Sequence, residues 1–163
     1  MATWRTNLNE VGKAQVDEAV IKYYRKLLKT GFENAGSFDK PSVFIESVGD
    51  GRVCGHAGDY VHIFINIVND RIDAMKYLCT CDPAANVAVE VLCTLAKGKR
   101  LDEARAITED SLLQKVGSSG EDLRNKATGL LELLNKAIAQ YQTKRDRRAN
   151  SSAHFLGEAW QHL

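Results

Sequence analysis

The chain has 163 residues, of which 44% are hydrophobic, and this size suits one domain with its own core. Its 22 Lys and Arg residues nearly balance 21 Asp and Glu residues, so its net charge would not attract nucleic acid or an anionic membrane. No apolar run approaches the ~20 residues of a membrane-spanning helix. Met1 to Lys13 also lack the apolar core of a signal peptide. We therefore expect a soluble, cytoplasmic protein with no nucleic-acid or membrane partner.

The first half of the chain predicts one helix followed by three strands. Apolar residues recur at helical spacing from about Ala14 to Thr30, and Gly31 supplies a C-cap. Three later segments are rich in β-branched and aromatic residues: Val43 to Val48, Tyr60 to Val68, and Arg71 to Leu78. Asn69 and Asp70 suit a tight turn between the second and third segments. An antiparallel sheet is therefore expected.

The second half of the chain predicts helices. Asp82 is an N-cap residue and Pro83 suits the first helical position, so a helix should begin there and end before Gly98. Short helices are predicted at Leu101 to Ile107 and Thr108 to Val116. A capping box of Ser118 and Glu121 then predicts the start of a long helix. Segregated strands and helices indicate an α+β, two-layer domain with helices packed on a three-stranded antiparallel sheet.

This domain should occupy residues 1–146, with residues 1–13 flexible. Residues 147–163 read as a C-terminal tail. A polar break at Asn150 to Ser152 precedes a short amphipathic segment, whose exposed aromatic residues would favour contact with the core or a partner.

Two groups of potential metal ligands flank the second and third predicted strands. Cys54, His56 and Asp59 lie on a glycine-rich loop, and Cys79 and Cys81 lie at the junction between the last strand and the next helix. Thiolates favour iron, zinc, copper or iron–sulfur clusters over hard cations such as Mg²⁺. In a reducing compartment such cysteines are more often free, reactive or metal-bound than paired in disulfides. The pattern predicts a protein that handles a metal or sulfur.

The cysteines are expected to differ in role. Cys81 immediately precedes a helix, where the backbone amides favour a thiolate, and it is the best candidate for a reactive thiol. Cys93 falls inside that helix and should pack as a small apolar side chain. Cys79 and Cys81 would point to opposite faces of a continuing strand, so only a turn at Thr80 would let both bind one metal.

Several of these segments, between about Tyr23 and Tyr141, together resemble the IscU, SufU and NifU N-terminal family of iron–sulfur cluster scaffolds. Their order, spacing and predicted secondary structure all agree with the family. The segments are Phe32 to Lys40, Cys54 to Asp59, Asp73 to Cys81, Lys97 to Lys99, and Leu101 to Ala104.

The resemblance implies a scaffold that receives sulfide from a cysteine desulfurase. Such a scaffold assembles a [2Fe–2S] or related cluster on three cysteines and an aspartate, then passes it to recipient apoproteins. The family aspartate corresponds to Asp59, and the second cysteine corresponds to Cys81 if a one-residue difference is allowed. Cys79 is an additional thiol, and Cys54 lies upstream of the first cysteine's usual place. Near the third position the chain has Arg124, Asn125 and Lys126.

Three interpretations remain open from the sequence. In the first, Cys54, Cys79 and Cys81 bind an iron–sulfur cluster with His56 or Asp59 as the fourth ligand. The same ligands would also suit tetrahedral zinc. A homodimer could share a cluster across a twofold interface.

The second interpretation is a metal-free regulatory or interaction module on the same fold. The third is cysteine-based catalysis, with Cys81 or Cys79 as nucleophile and His56 as base. Because no acyl-transfer motif accompanies these residues, a binding or scaffold protein is favoured over an enzyme.

Overall fold

The computed structural model describes residues 17–48 and 52–161, and it describes side chains in these ranges except for Val48 and residues 152–161. The predicted flexible segment, residues 1–13, lies outside the described residues. The three strands are β1 (Val43–Val48), β2 (Tyr60–Val68) and β3 (Arg71–Cys79). The helices are α1 (Glu18–Thr30), α2 (Pro83–Ala96), α3 (Leu101–Arg105), α4 (Glu109–Val116) and α5 (Glu121–Gln161).

The sheet is antiparallel with the order β1, β2, β3, as predicted. Alternate side chains are buried, so one face of the sheet packs on the helices. Ile45, Ile63 and Tyr77 form one buried row across the three strands. The predicted α+β architecture with a three-stranded antiparallel sheet is confirmed.

The hairpin between β2 and β3 turns at the predicted residues. Asn69 and Asp70 both have positive φ, 52° and 58°, as a two-residue turn of the type favoured in hairpins requires. A bulge between Asn66 and Ile67 then shifts the register of β3. The shift lets both Ile72 and Met75 face the core although their separation is odd.

Helix α2 is the buried centre of the helical layer. It begins as predicted, with the Asp82 side chain accepting a hydrogen bond from the Ala85 amide at 2.8 Å and with Pro83 in the first turn. It contacts α1, α4, α5 and β3. Its apolar side chains are buried on almost every side, so this helix forms the common core of the two layers. No helix in the described ranges is long and apolar enough to cross a membrane.

The start of the last helix differs from the prediction. Helix α5 begins at Glu121 rather than after a Ser118 cap. The Ser118 hydroxyl instead accepts a hydrogen bond from the Gly120 amide at 3.0 Å and donates one to the Asp17 carboxylate. Asp17 is the N-cap of α1. Ser118 therefore joins the starts of two helices, a tertiary contact that local spacing does not encode.

The long helix also continues beyond its predicted end. The backbone of α5 remains helical through residues 150–152, where the sequence suggests a break. The side chains of the predicted amphipathic segment lie outside the described residues. The division between residues 146 and 147 stays a prediction.

The segment before β1 is fixed by a buried carboxylate. The Asn34 amide donates to Glu90 Oε1 at 3.0 Å, and the Asn34 side chain donates to Glu90 Oε2 and to Thr94 Oγ1. Asn34 and Gly36 also exchange backbone hydrogen bonds with Tyr77. Glu90 is only 3% exposed. The cluster thus covers the outer edge of β3 and satisfies a charge that would otherwise be costly to bury.

We predict that Glu90 makes stability depend on pH. Burial raises the pKa of the Glu90 carboxyl above its ordinary value, although the Asn34 hydrogen bonds lower it. A carboxyl with a higher pKa in the folded chain stabilises at low pH, and this contribution is lost as pH rises through the folded-state pKa. The free energy of unfolding of wild type, minus that of Glu90→Gln, should therefore fall as pH rises from about 4.5. Urea denaturation across this range measures the difference.

The matched control is Glu18→Gln, because Glu18 is an exposed carboxylate in the first turn of α1. Its difference from wild type should change less with pH. Equal pH dependence in the two variants would contradict the prediction.

Candidate sulfur and metal site

Two predicted site cysteines, Cys54 and Cys81, meet at one end of the sheet. Their Cα atoms are 5.1 Å apart and their sulfur atoms form a disulfide, a separation ordinary for such a bond. The expectation that these cysteines would not be disulfide-paired is therefore wrong for this pair. The reason is spatial, because the loop before β2 and the residue before α2 converge although they are far apart in sequence.

Contacts with α5 hold the loop that carries Cys54. Arg52 donates two hydrogen bonds to the Glu132 carboxylate, at 2.8 and 2.6 Å. Next to it, Val53 is fully buried and lies against Gly129, where a Cβ atom would be only 2.6 Å from Val53 Cγ2. The ion pair is exposed and contributes about 0–1 kcal/mol. The close packing at Gly129 therefore contributes more to the position of Cys54.

Cys81 is positioned by the end of β3 and the start of α2. The strand ends at Cys79, and the chain bends at Cys81. The Thr80 amide donates to the Tyr60 carbonyl at 3.0 Å, and its hydroxyl accepts from the Tyr60 amide at 2.9 Å. Cys81 then immediately precedes the Asp82 cap of α2. The bend between the strand and α2 therefore lies at Cys81, one residue after the turn at Thr80 that the sequence required for both thiols to bind one metal.

Cys79 remains a free thiol beside the pair. It borders a cleft of about 300 Å³ together with Tyr24, Phe32 and Asn86. Burial raises the pKa of the Cys79 thiol above its usual value, and a hydrogen bond from the Cys81 amide opposes that shift. The carboxylates of Asp82 and Asp59 raise this pKa further. Cys79 is thus close to the pair but opens onto its own cleft.

Lys126 is a site residue whose role the sequence did not assign. Its side chain is only 6% exposed and its ammonium lies 3.4 Å from Asp82 Oδ2 and 3.3 Å from Asp122 Oδ1. The positive charge of Lys126 also lowers the pKa of Cys79. The resemblance places Lys126 near the family's third cysteine. A buried cation therefore lies beside the thiols in that region.

The two remaining predicted ligands, Asp59 and His56, lie on the loop before β2. The Asp59 carboxylate accepts a hydrogen bond at 3.3 Å from the hydroxyl of Thr80, the residue before Cys81. His56 is exposed, and its imidazole has no hydrogen bond or ion pair within the described ranges. The structure therefore links Asp59 to the residue before Cys81, whereas His56 is exposed on the loop between β1 and β2.

The described part of the chain contains no preformed group of three or more His, Cys, Asp or Glu side chains arranged for a metal. What it contains is a sulfur pair with a third thiol and a carboxylate near it. Cys93 is fully buried inside α2, as predicted, and burial raises its pKa well above the usual value. Cys93 is therefore a packing residue.

The chain matches the sequence profile of one protein family. The sequence profile of the NifU-like N terminal domain matches residues 17–148. The chain belongs to this family. The match spans every described helix and strand up to the middle of α5, and it confirms the resemblance to IscU, SufU and NifU proteins.

Curated relatives of this NifU-like chain include the iron–sulfur cluster assembly scaffold proteins IscU 1 and IscU 2 of Archaeoglobus fulgidus. Each is 31% identical over 88 residues, which is 53% of this chain and 57% of the relative. The match thus spans little more than half the length of each relative.

Solved structures support the fold of the NifU-like domain. An N-terminal NifU-like protein from Brucella abortus superposes with a TM-score of 0.54 at 12% identity, covering 78% of this chain and 94% of that one. A candidate cluster assembly scaffold of the SUF system from Fervidobacterium islandicum gives 0.51 at 15% identity, covering 76% and 96%. At these identities the likeness shows the fold alone.

We predict that Gly129→Ala destabilises the protein by about 1–2 kcal/mol. Alanine in a helix normally stabilises by ~1 kcal/mol relative to glycine, but here its Cβ would overlap the fully buried, stiff Val53 side chain. Urea denaturation measures the change. Gln140→Ala, on an exposed part of the same helix, is the control and should have little effect. A stabilised Gly129→Ala variant would contradict the close packing.

We also predict that Lys126→Met raises the pKa of the Cys79 thiol, because the substitution removes the cation that lowers it. In the fully reduced protein, Cys79 should then be alkylated more slowly near neutral pH, since the thiolate is the reactive form. Peptide mass mapping separates Cys79 from the other cysteines. Lys136→Met removes an exposed lysine further along α5 and should leave the rate unchanged. Equal rates in the two variants would refute the role of Lys126.

Proposed function

We propose that this chain is an iron–sulfur cluster assembly scaffold in which Cys54 and Cys81 form the centre of the site that holds the cargo. The observation that carries the proposal is the convergence of these two thiols from separate parts of the chain. Membership of the NifU-like family and the scaffold role named for the two Archaeoglobus relatives support it.

The chemistry of the nearby donors fits iron and sulfide. Once the disulfide is reduced by two electrons, and the resulting thiols release their protons on binding metal, Cys54 and Cys81 provide two soft thiolate ligands a few ångströms apart. Cys79 and Asp59 are the nearest further donors, because the Cys79 sulfur accepts a hydrogen bond from the Cys81 amide and Asp59 accepts one from Thr80, the residue before Cys81. His56 is the alternative fourth ligand. We propose a [2Fe–2S] cluster as the cargo of this set.

Lys126 changes the expected behaviour of such a site. A [2Fe–2S] cluster held by thiolates and a carboxylate is anionic, and the buried ammonium of Lys126 beside Asp82 would offset part of that charge. An ammonium cannot ligate iron as a thiolate does. We therefore propose that Lys126 supports the bound cluster electrostatically and is not one of its ligands.

The partners follow from the same proposal. A cysteine desulfurase would supply sulfur, and recipient apoproteins would accept the finished cluster. Two chains could also complete a cluster across a twofold interface. We place this activity in the cytoplasm and propose no catalytic turnover by the scaffold itself. The zinc alternative uses the same thiols.

The test is metal and sulfide content after anaerobic reconstitution. Reduced wild-type protein is incubated with ferrous iron and inorganic sulfide, desalted, and analysed for iron, acid-labile sulfide, zinc and visible absorption. We expect equal amounts of iron and sulfide in wild type. In Cys81→Ala both should fall to background, because half of the central thiol pair is gone.

The control is Cys93→Ala, which removes a thiol that is buried in the core outside the site. This variant should retain the wild-type content of iron and sulfide if its circular dichroism shows a folded chain. Zinc bound to wild type in place of iron would favour the zinc alternative. The absence of any bound metal after reconstitution would refute the scaffold proposal and favour a metal-free interaction module.

A further inference from the structure

The two paired cysteines differ in how solvent reaches them. Cys54 is 1% exposed and its neighbour Val53 is fully buried, so Cys54 faces the core. Cys81 is only half-buried and lies directly before the Asp82 N-cap of α2. A molecule from solution can therefore reach Cys81, whereas Cys54 is in place to react only with what Cys81 carries.

We propose that this pair converts persulfide sulfur into hydrosulfide, with Cys81 as the acceptor and Cys54 as the resolving thiol. The inference rests on the proposed scaffold function and names the form in which sulfur would be delivered to it. It assigns different tasks to two residues that would otherwise count as equivalent ligands.

The chemistry balances without another oxidant. A persulfide donor transfers its outer sulfur atom to Cys81, giving a Cys81 persulfide and a free donor thiol. The Cys54 thiolate then attacks the Cys81 sulfur atom, the Cys54–Cys81 bond forms, and the bond to the outer sulfur breaks. That sulfur takes the electron pair and one proton and leaves as hydrosulfide. Cys54 and Cys81 are together oxidised by two electrons and the outer sulfur is reduced by two.

The burial of the pair suits this displacement. Thiolate attack on a sulfur atom displaces the group bound on its far side, and Cys54 is the more deeply buried residue of the pair. The leaving sulfur therefore departs toward the open side. Asp59 is near this region, so hydrosulfide would be released beside a carboxylate that is one of the proposed iron ligands.

The neighbouring thiols are less suited to the resolving step. Cys79 borders a separate cleft, and its sulfur accepts a hydrogen bond from the Cys81 amide. Cys93 is enclosed within α2. The structure shows Cys54 bonded to Cys81, which is the product of the proposed step. An external dithiol would restore the starting state by thiol–disulfide exchange.

The experiment is a single turnover with glutathione persulfide. Anaerobically reduced full-length protein is mixed with one equivalent, hydrosulfide is measured over time, and the rate without protein is subtracted. Peptide mass mapping locates the added sulfur and the disulfide. Wild type should release one hydrosulfide per chain as the Cys54–Cys81 disulfide forms.

Two variants separate the roles. Cys54→Ala should keep the added sulfur on Cys81 and lose hydrosulfide release above the protein-free rate. Cys93→Ala removes a thiol that lies outside the site, so it is the matched control and should release hydrosulfide as wild type does. Release by Cys54→Ala at the wild-type rate, or loss of release in a folded Cys93→Ala variant, would overturn the proposal.

A third variant tests the proposal even if Cys54→Ala does not fold, because Cys54 is buried in the core. Cys81→Ala alters a half-exposed residue and should neither gain sulfur at Cys54 nor release hydrosulfide, whereas wild-type release from it would also overturn the proposal. Reconstitution with inorganic sulfide bypasses this step. If the protein binds a cluster in that experiment but releases no hydrosulfide from the persulfide, the sulfur-release step is refuted and the proposed scaffold function is not.

Discussion

The packing of α2 between the sheet and the other helices is the constraint on which the rest of the structure depends. Because its apolar side chains are enclosed on nearly all sides, α2 cannot shift without disturbing β3, α1, α4 and α5 together. This packing fixes the position at which the helix starts, and therefore the position of Cys81 just before it. The same packing positions α5 so that Val53 packs closely against Gly129, which has no side chain. The thiol pair is thus a consequence of core packing.

The sequence predicted those parts of the fold that depend on local patterns. Alternation in β2, the Asn69 and Asp70 turn, and the Asp82 cap all involve residues close together in the chain, and each was placed within a residue or two. Ser118 was assigned to the wrong hydrogen bonds because its partner, Asp17, is remote in sequence. The length of α5 was also underestimated, since Asn150 to Ser152 are weak helix formers that do not by themselves end a helix.

The candidate site was only partly predictable for the same reason. Composition and spacing identified every thiol, but they could not show that Cys54 would meet Cys81 and leave Cys79 in a separate cleft. That outcome depends on Arg52 and Val53 contacting α5. Lys126 was visible only as a residue that is not a usual cluster ligand, and its proximity to Asp82 requires the packing of α5 against α2.

The bond between Cys54 and Cys81 also links oxidation to folding. These residues are 27 positions apart and enclose the whole hairpin of β2 and β3. Closing a loop of this size removes conformational entropy from the unfolded chain and, in the chain-entropy account, stabilises the fold by about 3–4 kcal/mol. The effect is reciprocal, so the folded hairpin favours the disulfide by the same free energy. The reduced, ligand-free chain is then the least stable form, and cargo that binds both thiols would replace the lost covalent restraint with a coordinate one.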